Sequence, residues 1–318
     1  MKAMCLENRE FVWKDVAEPV RRGEFNVIMD VKACAVNRAD LLQRAGLYAP
    51  PPEWPEWPGL ECAGVVLEAP DGGRFKPGDA VCALLGGGGY AERAAVPEGM
   101  CMPVPRGFSF EEAACLPEVY ATAYLNLRTV ADLKPGETLF VQAGASGLGI
   151  AAIQLAKHVF KARVVTSVGS DEKAVRVRAF GADVAINRRR DDLLSMLDRN
   201  PPDVALDPVG GPLAGPAFAK MNRFGRWVML ASLAGAETTI DLNTVWRKGL
   251  RLVGSTLRSR SVAEKTGILR AMEAEVWPLM EKREIAPVIH KVLPIAEAGE
   301  AHRILAANEN IGKVVMTA

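Results

Sequence analysis

Short apolar runs separated by turn residues mark the first third of the chain as β structure. Residues 25–36, from Phe25 to Val36, combine β-branched side chains with partial alternation, the pattern of a half-buried strand. Further strands are expected at 62–68, 80–84 and 90–96, separated by turns such as Lys76-Pro77-Gly78-Asp79. Only a short helix around 38–44 interrupts them. The proline-rich stretch 50–58, with Trp54 and Trp57, must be a loop.

Beyond about residue 118 the period changes. A compact apolar run at 138–143 leads into a helix at 147–160, where Leu148, Ala152, Leu155 and Val159 recur along one face. A strand at 163–168 follows. Ser170 then N-caps a helix that ends at Phe180, with Gly181 as the stop. Strand signals return at 183–187, 203–207, 226–231 and 251–254, mostly with helical segments or turns between them. Six strands with interleaved helices predict a doubly wound parallel sheet, because right-handed crossovers put helices on both faces. The tail predicts one long helix from 262 to about 282, a strand at 288–292 and a last strand at 313–316 that returns to the β domain. The fold class expected is therefore α/β. A β domain of residues 1–118 and 258–318 encloses a dinucleotide-type domain of residues 119–257.

Length agrees with two domains, since 318 residues exceed the usual single one. The balance of 39 basic against 38 acidic residues gives no electrostatic case for a nucleic acid or an anionic membrane as partner. No stretch approaches the roughly 18 apolar residues that span a bilayer, and no signal core follows Met1, so a cytoplasmic protein is expected. The six cysteines are scattered without a CxxC pair and read as reduced, buried thiols rather than metal ligands.

The chemistry-bearing motif is Gly144-Ala-Ser146-Gly147-Leu148-Gly149, at the first strand-to-helix junction of the parallel unit. A dinucleotide site needs glycines there: the turn is tight, the backbone must approach the pyrophosphate, and the last glycine lets the helix pack. The helix N-terminus then offers unpaired N–H groups and partial positive charge. Ser146 stands where the second glycine of the usual spacing would be. An NAD site places Asp or Glu at the end of the second strand to bind the ribose hydroxyls. This chain has Ser167-Val168-Gly169-Ser170 instead, with Asp171 displaced into the helix. Lys173 lies one turn on and Arg188-Arg189-Arg190 follows the third strand. Cations without an acid suit the 2′-phosphate of NADPH; a merely solvated basic face is the bland alternative.

Taken together, several segments resemble the zeta-crystallin-like quinone-reductase branch of the zinc-free medium-chain dehydrogenases/reductases. They are Asn37-Arg-Ala-Asp40 through Gly46-Leu-Tyr48-Ala-Pro, Gly59-Leu-Glu61-Cys-Ala-Gly64, the glycine motif and Asn310-Ile-Gly-Lys-Val-Val315. The segments 84–92, 96–99 and Leu257-Arg-Ser-Arg-Ser261 look closest to the tumour-suppressor-inducible quinone reductases. The resemblance spans essentially the whole chain. It implies a GroES-like β domain interrupted by a Rossmann domain, nicotinamide in the cleft between them, and a homodimer. It places NADPH contacts at Gly147, Leu148, Gly149, Gly169, Lys173 and the residue after Asn187, commonly Tyr in the family and here Arg188. Where zinc-dependent relatives carry a catalytic His, this chain has Leu60, and their four-cysteine lobe is missing, so no metal is expected.

The activity so implied is NADPH-dependent reduction of quinones by hydride or single electrons. Tyr48 is the first candidate for a catalytic donor to the acceptor oxygen, with Asn37 and Asp40 as residues that orient water, the cofactor or Tyr48. Tyr48 as a pocket wall, and Asn37 and Asp40 as a structural hydrogen bond or helix cap, are the alternatives. The same scaffold also suits reduction of an enone or enoyl thioester, or a non-enzymatic NADPH-binding or structural role.

Overall fold

The structure is a computed structural model that describes residues 1–318. The first part of the chain forms β1 (Lys2–Glu7), β2 (Glu10–Asp15), β3 (Val27–Ala35), α1 (Arg38–Arg44), β4 (Glu61–Glu68), β5 (Ala80–Leu84), β6 (Arg93–Val96), β7 (Cys101–Pro103), α2 (Phe110–Ala113) and α3 (Pro117–Tyr124). Next come β8 (Thr138–Val141), α4 (Gly147–His158), β9 (Arg163–Val168), α5 (Asp171–Ala179), β10 (Val184–Asn187), α6 (Leu193–Arg199), β11 (Val204–Asp207), α7 (Ala214–Phe218), β12 (Arg226–Met229), α8 (Leu242–Lys248) and β13 (Arg251–Gly254). The tail adds α9 (Val262–Glu281), β14 (Ile289–Pro294), α10 (Ala298–Ala306) and β15 (Lys313–Thr317). The chain divides into two compact units, one of residues 1–121 with 258–318 and one of 122–257.

In the first unit a seven-stranded sheet runs β14-β15-β3-β4-β5-β7, with β6 also on β3. The tail does return to this sheet: β15 lies antiparallel to β3 and parallel to β14. Registers here position side chains that matter below. Val315 faces Ala35, so two residues further along the antiparallel chains Lys313 comes opposite Asn37. Cys34 faces Cys62, which sets Glu61 at the same sheet end.

Besides the short β7, α2 and α3, two elements of this unit were not legible in the pattern. One is β2, which closes a hairpin on β1; its segment Glu10–Asp15 has no fully buried position, so burial gave it no alternation to read. The other is α10, a second tail helix. The strand expected from residue 90 begins at Arg93, because the Tyr90 N–H is taken by the Pro58 carbonyl at 3.0 Å and its own carbonyl by Met4 N–H at 2.8 Å.

The second unit is a six-stranded, wholly parallel sheet in the order β10-β9-β8-β11-β12-β13. Its order reverses between β8 and β11, and a parallel doubly wound sheet opens a crevice at the carboxyl ends of the strands flanking such a switch. A core of Phe140, Val165, Ile186, Leu197, Phe218 and Trp227 fills one face. Helix α4 is buried over nearly its whole surface from Gly149 to Ala156, not along one stripe, and Leu148 of its first turn is the half-exposed member. A helix enclosed on several sides needs apolar residues all round.

Candidate functional site

The residues expected to hold a dinucleotide gather at the carboxyl edge of three adjacent strands, β8, β9 and β10. Gly144 through Gly149 link β8 to α4. The Gly144 backbone lies so close to β9 that a Cβ there would stand 2.0 Å from Thr166 Oγ1. A Cβ on Gly149 would meet the Ala143 carbonyl oxygen at 2.5 Å and Gly144 Cα at 2.6 Å. Glycine at both positions is therefore a steric requirement of the turn. Ser146 N-caps α4, its hydroxyl accepting the Gly149 N–H at 3.0 Å. The first N–H groups of the helix, on Gly147 and Leu148, have no acceptor within the helix and point to where an anion would sit.

The second and third strand ends carry the basic residues. Ser170 caps α5 by accepting the Lys173 N–H. The Arg188 guanidinium stands over Gly169, its Nη2 3.6 Å from where a Cβ would be. Burial and the neighbouring charge of Arg188 both push the Lys173 ammonium below its ordinary value, so the two cations share one locality. Glu172 is the acid that acts on Lys173, while Asp171 is engaged elsewhere, pairing with Arg190 at 2.9 Å and accepting from Asn187 Nδ2 at 3.0 Å. The structure thus brings Ser146, Gly147, Leu148, Gly149, Gly169, Lys173 and Arg188 to one sheet edge, and its cradle fits a dinucleotide pyrophosphate.

Tyr48, Asn37 and Asp40 belong to the other unit. Half-buried Tyr48 has Arg258 as its polar neighbour, with the guanidinium carbon 4.6 Å from the ring centroid and Nη1 donating to the Tyr48 carbonyl at 3.2 Å. Burial raises the phenol above its ordinary value, and Arg258 partly offsets this.

Asn37 and Asp40 do not hydrogen-bond Tyr48; they fasten α1 to the sheet. Asn37 caps α1 in a capping box with Asp40, whose Oδ2 accepts the Asn37 N–H at 2.7 Å. The Asn37 side chain donates to Glu61 Oε1 at 2.9 Å and accepts from Lys313 Nζ at 2.8 Å. Fully buried Asp40 also accepts from Gly59 N–H and from the Tyr90 hydroxyl, both at 3.1 Å. Desolvation lifts its carboxyl to about 6 against those hydrogen bonds. The polar atoms of both side chains are thus engaged within the protein, which is the helix-cap alternative made concrete.

Three partners in these networks carried no sequence signal of their role. Lys313 pairs with Glu61 at 2.7 Å, the two side chains being 4% and 0% exposed. His302 meets the Tyr90 hydroxyl at 3.1 Å through Nε2, while its buried Nδ1 has no partner. Arg258 lies in a segment notable in the sequence only for resemblance. Charges or rings that meet across hundreds of residues leave no local period to detect.

Comparison with known proteins agrees with this fold. Residues 23–106 match the family described as the alcohol dehydrogenase GroES-like domain, and 147–274 match that described as zinc-binding dehydrogenase. Quinone oxidoreductase-like protein 2 of Bos taurus is 30% identical over 322 residues, covering 99% of this chain and 91% of that protein. The quinone oxidoreductase of Thermus thermophilus, solved alone and with NADPH, superposes with a TM-score of 0.85 at 31% identity, covering all of both chains. An NAD-dependent alcohol dehydrogenase superposes with 0.87 at 29% identity, again over both whole chains. The zinc in one family description does not fit the residues present: no group of three His, Cys, Asp or Glu side chains could hold a metal ion, and all six cysteines are free and buried. No helix is long and apolar enough to cross a membrane.

Proposed function

Because the chain belongs to the medium-chain dehydrogenase/reductase superfamily, among its quinone oxidoreductase-like members, we propose that this nicotinamide-dependent oxidoreductase uses NADPH to reduce quinones. The observation that carries the cofactor choice is the pairing of Arg188 over Gly169 with Lys173, while Asp171 is held away by Arg190 and Asn187. Two cations beside a strand end that carries no acid favour a 2′-phosphate over a bare ribose diol.

In this reading the Gly147 and Leu148 N–H groups hold the pyrophosphate, Gly149 keeps the turn open to it, and Lys173 and Arg188 take the 2′-phosphate. Bound nicotinamide supplies hydride. Tyr48 supplies the proton, donating from its hydroxyl to the acceptor oxygen as negative charge develops there. Asn37 and Asp40 serve through the frame that seats α1 and the loop beyond it. The quinone is favoured by the names of the relatives, not by a pocket.

We also propose a homodimer built on β13. This strand ends the sheet, pairs only with β12, and leaves Leu252 51% exposed. Beside it in sequence, α8 buries no residue and leaves Leu242 and Trp246 exposed at 74% and 68%. An unpaired strand edge next to large apolar side chains is the surface a second copy would cover. Light scattering should show a dimer that Leu252→Glu with Trp246→Glu converts to monomer.

The activity test follows NADPH oxidation with an ortho-naphthoquinone and with an α,β-unsaturated ketone, repeated with NADH and with Tyr48→Phe. Quinone turnover preferring NADPH is expected, with Tyr48→Phe lowering kcat about 100-fold. Turnover of the enone alone would make the protein an alkene reductase. Tight NADPH binding without turnover on either acceptor would leave a non-enzymatic binding protein.

A further inference from the structure

Arg258 is a buried cation held entirely by neutral groups. It opens the segment by which the chain returns to the first unit and is 7% exposed. Nε and Nη2 donate to the Gly86 carbonyl at 3.0 and 2.6 Å, Nη2 also reaches Gln43 Oε1 at 2.9 Å, and Nη1 reaches the Tyr48 carbonyl. None of these acceptors is a carboxylate. Desolvation duly lowers the guanidinium below its ordinary value. No carboxylate touches the guanidinium, Asp40 and Glu118 acting on it only through space, and a buried charge without a contacting counterion is costly. A neutral amide could fasten the same carbonyls, so fastening alone does not explain why a cation stands here.

The charge is directed at Tyr48. The guanidinium carbon lies 4.6 Å from the centroid of the phenol ring, and Nη1 holds the backbone carbonyl of the same residue. Glu118 is the other charged group that acts on Tyr48. Its carboxyl is lifted to about 7 by burial and by Glu61, so at neutral pH it carries only part of a charge. Buried Lys265, whose Nζ donates to the Arg258 carbonyl at 2.8 Å, adds a second cation behind the first.

We propose that Arg258 is the positioning residue for Tyr48: it fixes the phenol by stacking on its ring and by holding the Tyr48 carbonyl, and it stabilises the phenolate left when Tyr48 gives up its proton. This rests on Tyr48 being the proton donor. In that step the Tyr48 O–H bond breaks and an O–H bond forms on the acceptor. Hydride from NADPH supplies the electron pair, and water later returns a proton to the phenolate. An adjacent cation favours the ionised form of an acid, and so makes Tyr48 a stronger donor than burial alone would leave it.

The test compares Arg258→Gln, which keeps an amide donor but removes the charge, with Arg258→Lys, which keeps the charge without the planar fork. Near-ultraviolet phenolate absorbance, taken as the difference from the same protein carrying Tyr48→Phe, isolates Tyr48 among the four tyrosines. In Arg258→Gln the Tyr48 midpoint should move to higher pH, and the alkaline limb of the kcat profile should move with it. At neutral pH kcat should fall about tenfold while KM for NADPH changes less than about twofold. In Arg258→Lys the midpoint should stay near that of the wild type while kcat falls.

An unmoved midpoint in folded Arg258→Gln overturns the proposal, even if Tyr48→Phe is inactive. Should the Gln variant not fold, a midpoint raised in the Lys variant overturns it equally. Full activity in Tyr48→Phe would instead remove the donor role, and the titration would still decide whether Arg258 sets the charge state of Tyr48.

Discussion

Replacing Lys313 by Met breaks the one ion pair in which both side chains are almost fully buried. All three ammonium protons are in use: Glu61 Oε1 at 2.7 Å, Asn37 Oδ1 at 2.8 Å and the Val36 carbonyl at 2.9 Å. Glu61 is equally committed, accepting from Asn37 Nδ2 at 2.9 Å through Oε1 and from the Glu118 N–H at 2.8 Å through Oε2. Met fits the volume of the lysine stem but leaves Glu61 as a buried, uncompensated charge. Removing one partner of such a pair costs about 3–5 kcal/mol. Adding Glu61→Gln takes away the stranded charge; its amide oxygen can still accept the Glu118 N–H, and its NH2 can donate to Asn37 Oδ1, freed by the loss of Lys313, once the Asn37 amide turns over. The double variant should therefore lie only about 1–2 kcal/mol below the wild type, the scale of the hydrogen bonds lost around Asn37 and Val36. Urea unfolding of wild type, both single variants and the double, followed by circular dichroism, gives the cycle. Lys313→Met within about 1 kcal/mol of wild type, the size of one ordinary hydrogen bond, or a double variant less stable than Lys313→Met, would refute the reasoning.

The remaining expectations concern pH, cofactor and backbone. Burial depresses His302 to about 3, so its contribution is complete above the unfolded value near 6.5 and drains away as pH falls toward 3. Between pH 6.5 and 5 that is a loss of about 2 kcal/mol, which His302→Gln should not show in urea unfolding at the two pH values. Asp40, raised to about 6, has the opposite sign: its burial costs stability above pH 6 and the cost lifts as pH falls, so Asp40→Asn should be most favourable near neutral pH if its lost hydrogen bonds are compensated equally at both. Lys173→Ser and Arg188→Ser should each lower kcat/KM for NADPH about 10- to 100-fold, the worth of a charge-assisted hydrogen bond, while NADH changes less than about threefold. Equal losses with both cofactors would count against the 2′-phosphate assignment. Gly149→Ala puts a methyl 2.5 Å from the Ala143 carbonyl and should weaken NADPH binding, read by fluorescence quenching, at least about tenfold, since backbone has to move to admit it.

Much of the fold was legible because its signals are local. The 3.6 and 2.0 periods of burial, the turn residues and the cap at Ser170 depend on neighbours a few positions away, and 80–84, 163–168 and 251–254 fall on β5, β9 and β13 to the residue. The glycine motif was legible for the same reason. A turn tight enough to bring Gly144 against Thr166 leaves its mark within six consecutive residues.

What the tertiary structure decided is how distant polar groups are paired. Asn37 and Asp40 looked like candidates for the chemistry, yet sheet register brings Lys313 opposite Asn37, 276 residues away, and packing brings Tyr90 to Asp40 and His302 of α10 to the Tyr90 hydroxyl. Arg258 joins Tyr48 across 210 residues in the same way. A chain's periodicity records which side of an element is buried. It holds no record of which buried charge meets which, because that depends on strand order and register, and those are fixed only when the whole sheet closes over its core.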